Sequence, residues 1–177
     1  QSHLQQRLSQ HLDTAAIVNQ VNHQALLSQQ LHWQDLESLQ HQFFQQMRLF
    51  PNLSGIQWGT CEGNYVGVLD LGNRTPTLEI KDAELGDNKY VFALNDAGHR
   101  TATQLGRALA YDPRQRPWYQ GARGCLQWSQ VYQYASDASV QLGVMATLGV
   151  FEQGQLLGVL GCGLALTHIS DLLAQLS

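Results

Sequence analysis

The hydrophobic period of this chain changes at Pro51, and that change constrains the fold more than any other feature. Before it, apolar residues recur at helical spacing: Leu4, Leu8 and Leu12, then Ile17, Val21 and Ala25. After an interruption near Trp33 the pattern resumes with Leu36, Leu39, Phe43, Phe44 and Met47. Such spacing lays an apolar stripe along an α-helix. Asp35 stands where an N-cap would open the second helix, with Ser38 where a full capping box would carry Glu or Gln. Pro51 ends it, because the residue before a proline is pushed out of helical geometry. Beyond Pro51 the period is two. Ile56 and Trp58, then Val66 and Val68, predict two strands joined at Glu62-Gly63-Asn64. Leu78 to Ile80 and Tyr90 to Leu94 predict two more, and Asn95-Asp96-Ala97-Gly98 turns the chain into a return strand at Thr101 to Thr103.

Trp128 to Tyr134 predicts a further strand, and Val140 to Phe151 with Leu156 to Leu166 a long hairpin. Both hairpin strands are apolar or glycine at nearly every position, the pattern of strands covered on both faces. Thr167 or Ser170 could cap a closing helix from Ile169 to Leu176. The expected architecture is α+β, a long N-terminal helix packed on a mainly antiparallel sheet of five to six strands. Residues 1–50 form the helical region and 51–177 the sheet module.

Composition narrows the function. Only 14% of the 177 residues are charged, against about 25% in an average domain. The net charge is −4 and the arginines outside one cluster are scattered, which excludes a nucleic-acid surface. The helical region carries only Arg7 and Arg48, too few for a basic membrane-surface helix. Cys61, Cys125 and Cys162 are an odd number without a CxxC, so they imply neither zinc nor a disulfide framework; small buried hydrophobes, with one pair able to bridge, is the reading they support. His3, His11, His23, His32 and His41 fall at no metal-ligand spacing. No apolar run approaches the roughly 18 residues of a membrane span, and with no initial Met or signal peptide the piece is expected to be excised from something longer. Catalytic signatures are missing too: Gly161-Cys162-Gly163 has Leu166 where a dinucleotide loop needs glycine, and nothing brings a cysteine beside His99 or His168. No enzymatic activity, cofactor or metal is expected.

The densest chemistry lies in Tyr111-Asp112-Pro113-Arg114-Gln115-Arg116-Pro117-Trp118-Tyr119. The prolines fix backbone angles, the arginines present forked donors to an anion, and the aromatics offer flat walls. Those residues suit a small-molecule pocket. They equally suit a helix start, with Asp112 as cap, Pro113 at the first position and Trp118 in the core.

The segment from Asp112 to Tyr119, followed by Trp128-Ser129-Gln130-Val131-Tyr132, then by Gly154 to Gly161 and by Ile169 to Leu173, resembles the Cache family of extracytoplasmic sensor domains. The resemblance runs from about Tyr111 to Ser177. It implies a PAS-like sheet on a long helix that rises from a membrane, a second membrane-proximal module in double-Cache members, and service on chemoreceptors, histidine kinases or nucleotide cyclases. In the family's amino-acid binders a Tyr, an Arg five positions on and a Trp seven on hold the ligand carboxylate, and Tyr111, Arg116 and Trp118 reproduce that spacing. Tyr132 matches a further tyrosine, but Tyr134 and Gly163 stand where two aspartates would hold the ligand amine. A buried ammonium without a carboxylate costs several kcal/mol, so a free α-amino acid should bind poorly unless Asp137 takes its amine. The expected ligand is a small carboxylate or another anionic or polar molecule held by Tyr111, Arg116, Trp118, Tyr132 and Tyr134. Arg114 is a further candidate, or it pairs with Asp112 or caps local carbonyls. The competing reading is a structural module that dimerises through its N-terminal helix and whose pocket has decayed. Under either, the membrane is met only through segments outside this chain.

Overall fold

The computed structural model describes residues 2–70, 75–133 and 142–174. Two helices open the chain. Helix α1 (His3–Leu27) begins at Ser2, whose hydroxyl accepts the Gln5 N–H at 3.4 Å. Helix α2 (Leu36–Leu49) is capped by Asp35 as expected: one carboxylate oxygen accepts the Ser38 N–H at 3.1 Å, and the other accepts the Ser38 hydroxyl at 2.7 Å. The two bonds from Ser38 hold the Asp35 carboxyl below its ordinary range. Serine thus completes the cap by donating to Asp35.

The buried face of α1 follows the expected stripe at Leu12 and Ala25 but departs from it between them. Ile17 and Val21 are about half exposed, whereas Ala15, Val18, Asn19, Asn22, Ala25 and Leu26 face inward. Two asparagines sit in that face because partners wait for them. The Asn19 amide donates to the Ala146 carbonyl at 2.7 Å, and Asn22 and Gln46 exchange hydrogen bonds of 2.9 and 2.8 Å between α1 and α2. Buried amides that find such partners are tolerated, although the Asn19 Oδ1 has none among the described residues, and they share the packed face with Leu12 and Ala25.

The strands are β1 (Gly55–Thr60), β2 (Tyr65–Leu69), β3 (Thr77–Lys81), β4 (Asn88–Leu94), β5 (Arg100–Gln104), β6 (Leu109–Ala110), β7 (Gln127–Trp128), β8 (Tyr132–Gln133), β9 (Leu142–Glu152) and β10 (Gln155–Ala165). They pair antiparallel in the order β5-β4-β3-β2-β1-β10-β9-β7, with β6 on β4 and β8 on β9. Among the described residues the sheet therefore has ten segments, more than the five or six expected. Seven of them have five residues or more; β6, β7 and β8 have two residues each, too short to show a period. The strand expected from Trp128 is split in two, and at the break the Ser129 hydroxyl accepts the Met145 N–H at 2.9 Å. β10 is central and buried along most of its length, as its composition implied. Between β4 and β5, Gly98 takes a φ of +82°, and a Cβ there would meet the Phe44 ring at 2.4 Å.

α4 (Leu166–Ala174) follows β10 without a loop. It therefore starts before either Thr167 or Ser170 could cap it. Pleating separates the two sheet faces. Ile56, Trp58, Val66, Val68, Leu78, Ile80, Leu160, Cys162 and Leu164 pack on Val18, Leu26, Leu39, Phe43 and Met47 in one core shared with the helices. The residues between them face away, and the segment that follows β6 covers them.

Cys61, Cys125 and Cys162 are all free thiols, so no pair bridges. Cys162 is fully buried, and desolvation pushes its thiol well above the ordinary range; Cys125 is exposed. With an aromatic disulfide reagent at about pH 8, Cys125 is expected to react within the mixing phase and Cys162 only on unfolding. Equal labelling rates in the native protein would contradict this burial.

Candidate functional site

The segment 111–120 docks on the sheet face opposite the helices. Two short turns do this. Asp112 accepts the Arg114 N–H at 3.0 Å and opens a 3₁₀ turn with Pro113 at its start, and Pro117 opens α3 (Pro117–Gln120). Proline suits both places because the first turn needs no N–H and its fixed φ is already helical. The cap reading of this stretch therefore holds for Asp112 and Pro113. Pro113 and Trp118 are buried against β1, where a Cβ on Gly59 would come within 2.8 Å of Pro113 and 3.0 Å of Trp118. A glycine at that point lets the turns reach the sheet. β6 pairs Leu109 with Lys89 of β4, and the Tyr111 N–H then donates to the Asp87 carbonyl at 3.2 Å, so Tyr111 is held beside Lys89.

The result is a cavity of about 50 Å³. Four of the expected residues, Tyr111, Arg116, Trp118 and Tyr132, line it, together with Gln57, Tyr65, Glu79, Lys89 and Met145 from the sheet. Tyr65 meets Tyr111 edge-on at 5.0 Å between centroids and Trp118 at 6.3 Å. Its hydroxyl donates to Gln57 Oε1 at 2.9 Å, and Gln57 Nε2 lies 3.4 Å from Met145 Sδ. Burial pushes the Tyr111 hydroxyl up to about 12, partly opposed by a hydrogen bond from the Trp118 indole and by the Arg116 charge. The Arg116 guanidinium is solvent-exposed and makes no hydrogen bond or ion pair to any described residue.

Arg114 lies outside this wall. Its Nε and Nη2 reach Asp112 at 2.9 Å each and its Nη1 donates to the Cys61 carbonyl at 3.3 Å, so it does both of the local tasks weighed against ligand contact. That pairing holds the Asp112 carboxyl below its usual range. Tyr134 and Asp137 fall outside the described residues. Gly163 lies opposite Met145 and Gly55 in the ladders, on the cavity face, and has no side chain to offer an amine.

Sequence reading missed the charged pair inside the cavity. Lys89 Nζ is 2.6 Å from Glu79 Oε1, with the two side chains 8% and 11% exposed. The ammonium also lies over the ring of Tyr111 at 4.4 Å and of Tyr65 at 5.6 Å, within cation–π reach. In Leu78-Glu79-Ile80-Lys81 the alternation of apolar and charged residues reads as one core face and one solvent face. What it could not show is that residues 111–120 cover the charged face. Lys81 lies on the same face, near enough to Asp112 to lower its carboxyl further.

A larger open groove, about 690 Å³, lies on the other side of the sheet, bordered by Asp35, Glu37, His41, His99 and Arg100. It is wide, but no Tyr, Trp or Phe lines it beside Arg100, and among the described residues no group of His, Cys, Asp or Glu could hold a metal.

A long N-terminal helix packed on an open antiparallel sheet is the α+β arrangement expected of a Cache-like fold. No protein-family model and no curated protein matches the chain. Solved structures do. The sensory domain of the Campylobacter jejuni chemoreceptor Tlp3 is 12% identical with a TM-score of 0.61, over 96% of this chain and 59% of that one. The extracellular domain of the putative histidine kinase soHK1S-Z6 is 16% identical with a TM-score of 0.61, over 98% and 60%. The ligand-binding domain of the Pseudomonas aeruginosa amino-acid chemoreceptor PctC, in complex with GABA, is 20% identical with a TM-score of 0.56, over 99% and 65%. At such identities the likeness is one of fold. The chain spans about three fifths of these structures. No described helix is long and apolar enough to cross a membrane.

Proposed function

We propose that this chain is the extracytoplasmic ligand-sensing module of a membrane signalling receptor and that its site takes a small carboxylate, not a typical α-amino acid. The observation that carries this is the unpartnered Arg116 guanidinium on a cavity walled by Tyr111, Trp118 and Tyr132. A guanidinium binds carboxylate through two charge-assisted bonds, and the aromatic walls flank the cavity side of that contact. The neighbour PctC is an amino-acid chemoreceptor. Here the one carboxylate on the described wall, Glu79, is already engaged by Lys89, so an incoming ammonium would have to compete for it.

The fold supplies a route outward. Met145 touches the cavity, and the carbonyl of the next residue, Ala146, accepts the Asn19 amide of α1 at 2.7 Å. A ligand that favours one setting of β9 thereby biases α1, and only its difference in affinity between settings can be transmitted.

Thermal shift with a panel of acetate, propionate, lactate and succinate tests the reading. A ligand at a hundred times its Kd should stabilise the wild type by about 2.7 kcal/mol. Arg116→Ala is expected to weaken that ligand by about one to two orders of magnitude, the value of a hydrogen-bonded charge. If the variant keeps the full wild-type stabilisation, Arg116 is not the anion site.

A further inference from the structure

Lys89 is more than a counter-ion for Glu79. An ammonium has three donors. One meets Glu79 at 2.6 Å, and among the described residues this buried group makes no other hydrogen bond; the ring faces of Tyr111 and Tyr65 lie against it. A buried donor without an acceptor is costly, and this one borders the cavity. Tyr111 joins the two ends of the site: Lys89 lies over its ring, and Arg116 is close enough to lower its hydroxyl.

Charge then selects what Lys89 can meet. Arg116, Lys89 and Glu79 leave the wall with one excess positive charge, which a single carboxylate on Arg116 neutralises. A neutral oxygen suits the spare donors of Lys89, while an ammonium there is repelled. Size selects as well. The part of the cavity lined by described residues is small, about 50 Å³, room for roughly three to five water-sized bodies at about 10–15 Å³ each, which favours short acids.

We propose that Lys89, held in place by Glu79, is a second ligand contact, and that the site prefers a short 2-hydroxy or 2-oxo acid over the unsubstituted acid and over the 2-amino acid. This rests on the carboxylate reading of Arg116 and sharpens it. Glycolate, lactate and pyruvate have the right size and polarity.

Calorimetric titration of the whole chain with lactate, propionate and alanine separates the two readings. The wild type should bind lactate about tenfold more tightly than propionate, the worth of one hydrogen bond to a charged donor, and alanine more weakly than either. In the double variant Glu79→Leu, Lys89→Met, which leaves neither charge unpaired, the lactate-to-propionate ratio should fall to about one. Equal affinities for lactate and propionate in the wild type would overturn the role of Lys89, whether or not the double variant folds. So would tightest binding of alanine, which would assign Glu79 to a ligand amine, or a preference that survives the double substitution. Propionate binding that depends on Arg116, with no gain for lactate, would leave the carboxylate site standing without this second contact. No binding of any acid would remove both.

Discussion

Glu79→Ala is expected to destabilise the protein by about 3–5 kcal/mol near neutral pH, because it strands the Lys89 ammonium in a site where nothing else can compensate it. The side chains are 8% and 11% exposed and 2.6 Å apart, so water screens them little. Contact with the rings of Tyr111 and Tyr65 softens the loss, since a desolvated cation over an aromatic face gains up to about 2 kcal/mol, but it does not replace a carboxylate. Urea unfolding of the single variant and of Glu79→Leu, Lys89→Met gives the comparison. The double variant should be near wild type or more stable, because removing both charges also removes the cost of burying them. Were Glu79→Ala to lose under about 1 kcal/mol, the pair would behave as a hydrated surface pair, whose usual worth is 0–1 kcal/mol, and the cavity would not be the low-dielectric place described.

Trp58→Ala should cost a similar amount, about 3–5 kcal/mol, for a different reason. Trp58 is fully buried on the helix side of β1, among the residues that join the sheet to Leu39 and Phe43. Its indole N–H donates to the Trp33 carbonyl at 2.9 Å, which ties the link between α1 and α2 to the sheet. The ring lies against Gly158 so closely that a Cβ there would come within 2.7 Å of it. Truncation therefore opens a large void and also frees a carbonyl. Trp58→Phe separates the two losses: it keeps most of the packing and should give up about 1–3 kcal/mol through the orphaned carbonyl. A Trp58→Ala variant that unfolds at the wild-type urea midpoint would mean that the core repacks around the gap.

The architecture was legible because its signals are local. A helical period up to Met47, proline at 51, then alternation and turn residues dictate helices before strands, and the glycine-rich 156–166 run dictates a central strand. Gly158 and Gly161 of that run also have partners: one gives room to Trp58, the other to Met145 and Gln57. The face of α1 between Leu12 and Ala25 was not legible, because Asn19 and Asn22 look like surface residues until Ala146 and Gln46 are placed opposite them. The same holds for β6, β7 and β8, which exist only because longer strands offer them an edge.

Half of the candidate site follows a similar division. Tyr111, Arg116 and Trp118 lie within one short stretch whose proline turns and spacing are properties of the chain itself, so the sequence by itself determined that an arginine and two aromatics would be presented together. Glu79 and Lys89 come from separate strands, and only the tertiary structure decided that β6 would carry Tyr111 over them and turn an outward-facing ion pair into a cavity wall. The physical reason is that a side chain's charge is a local fact, whereas its dielectric surroundings depend on which distant segment covers it.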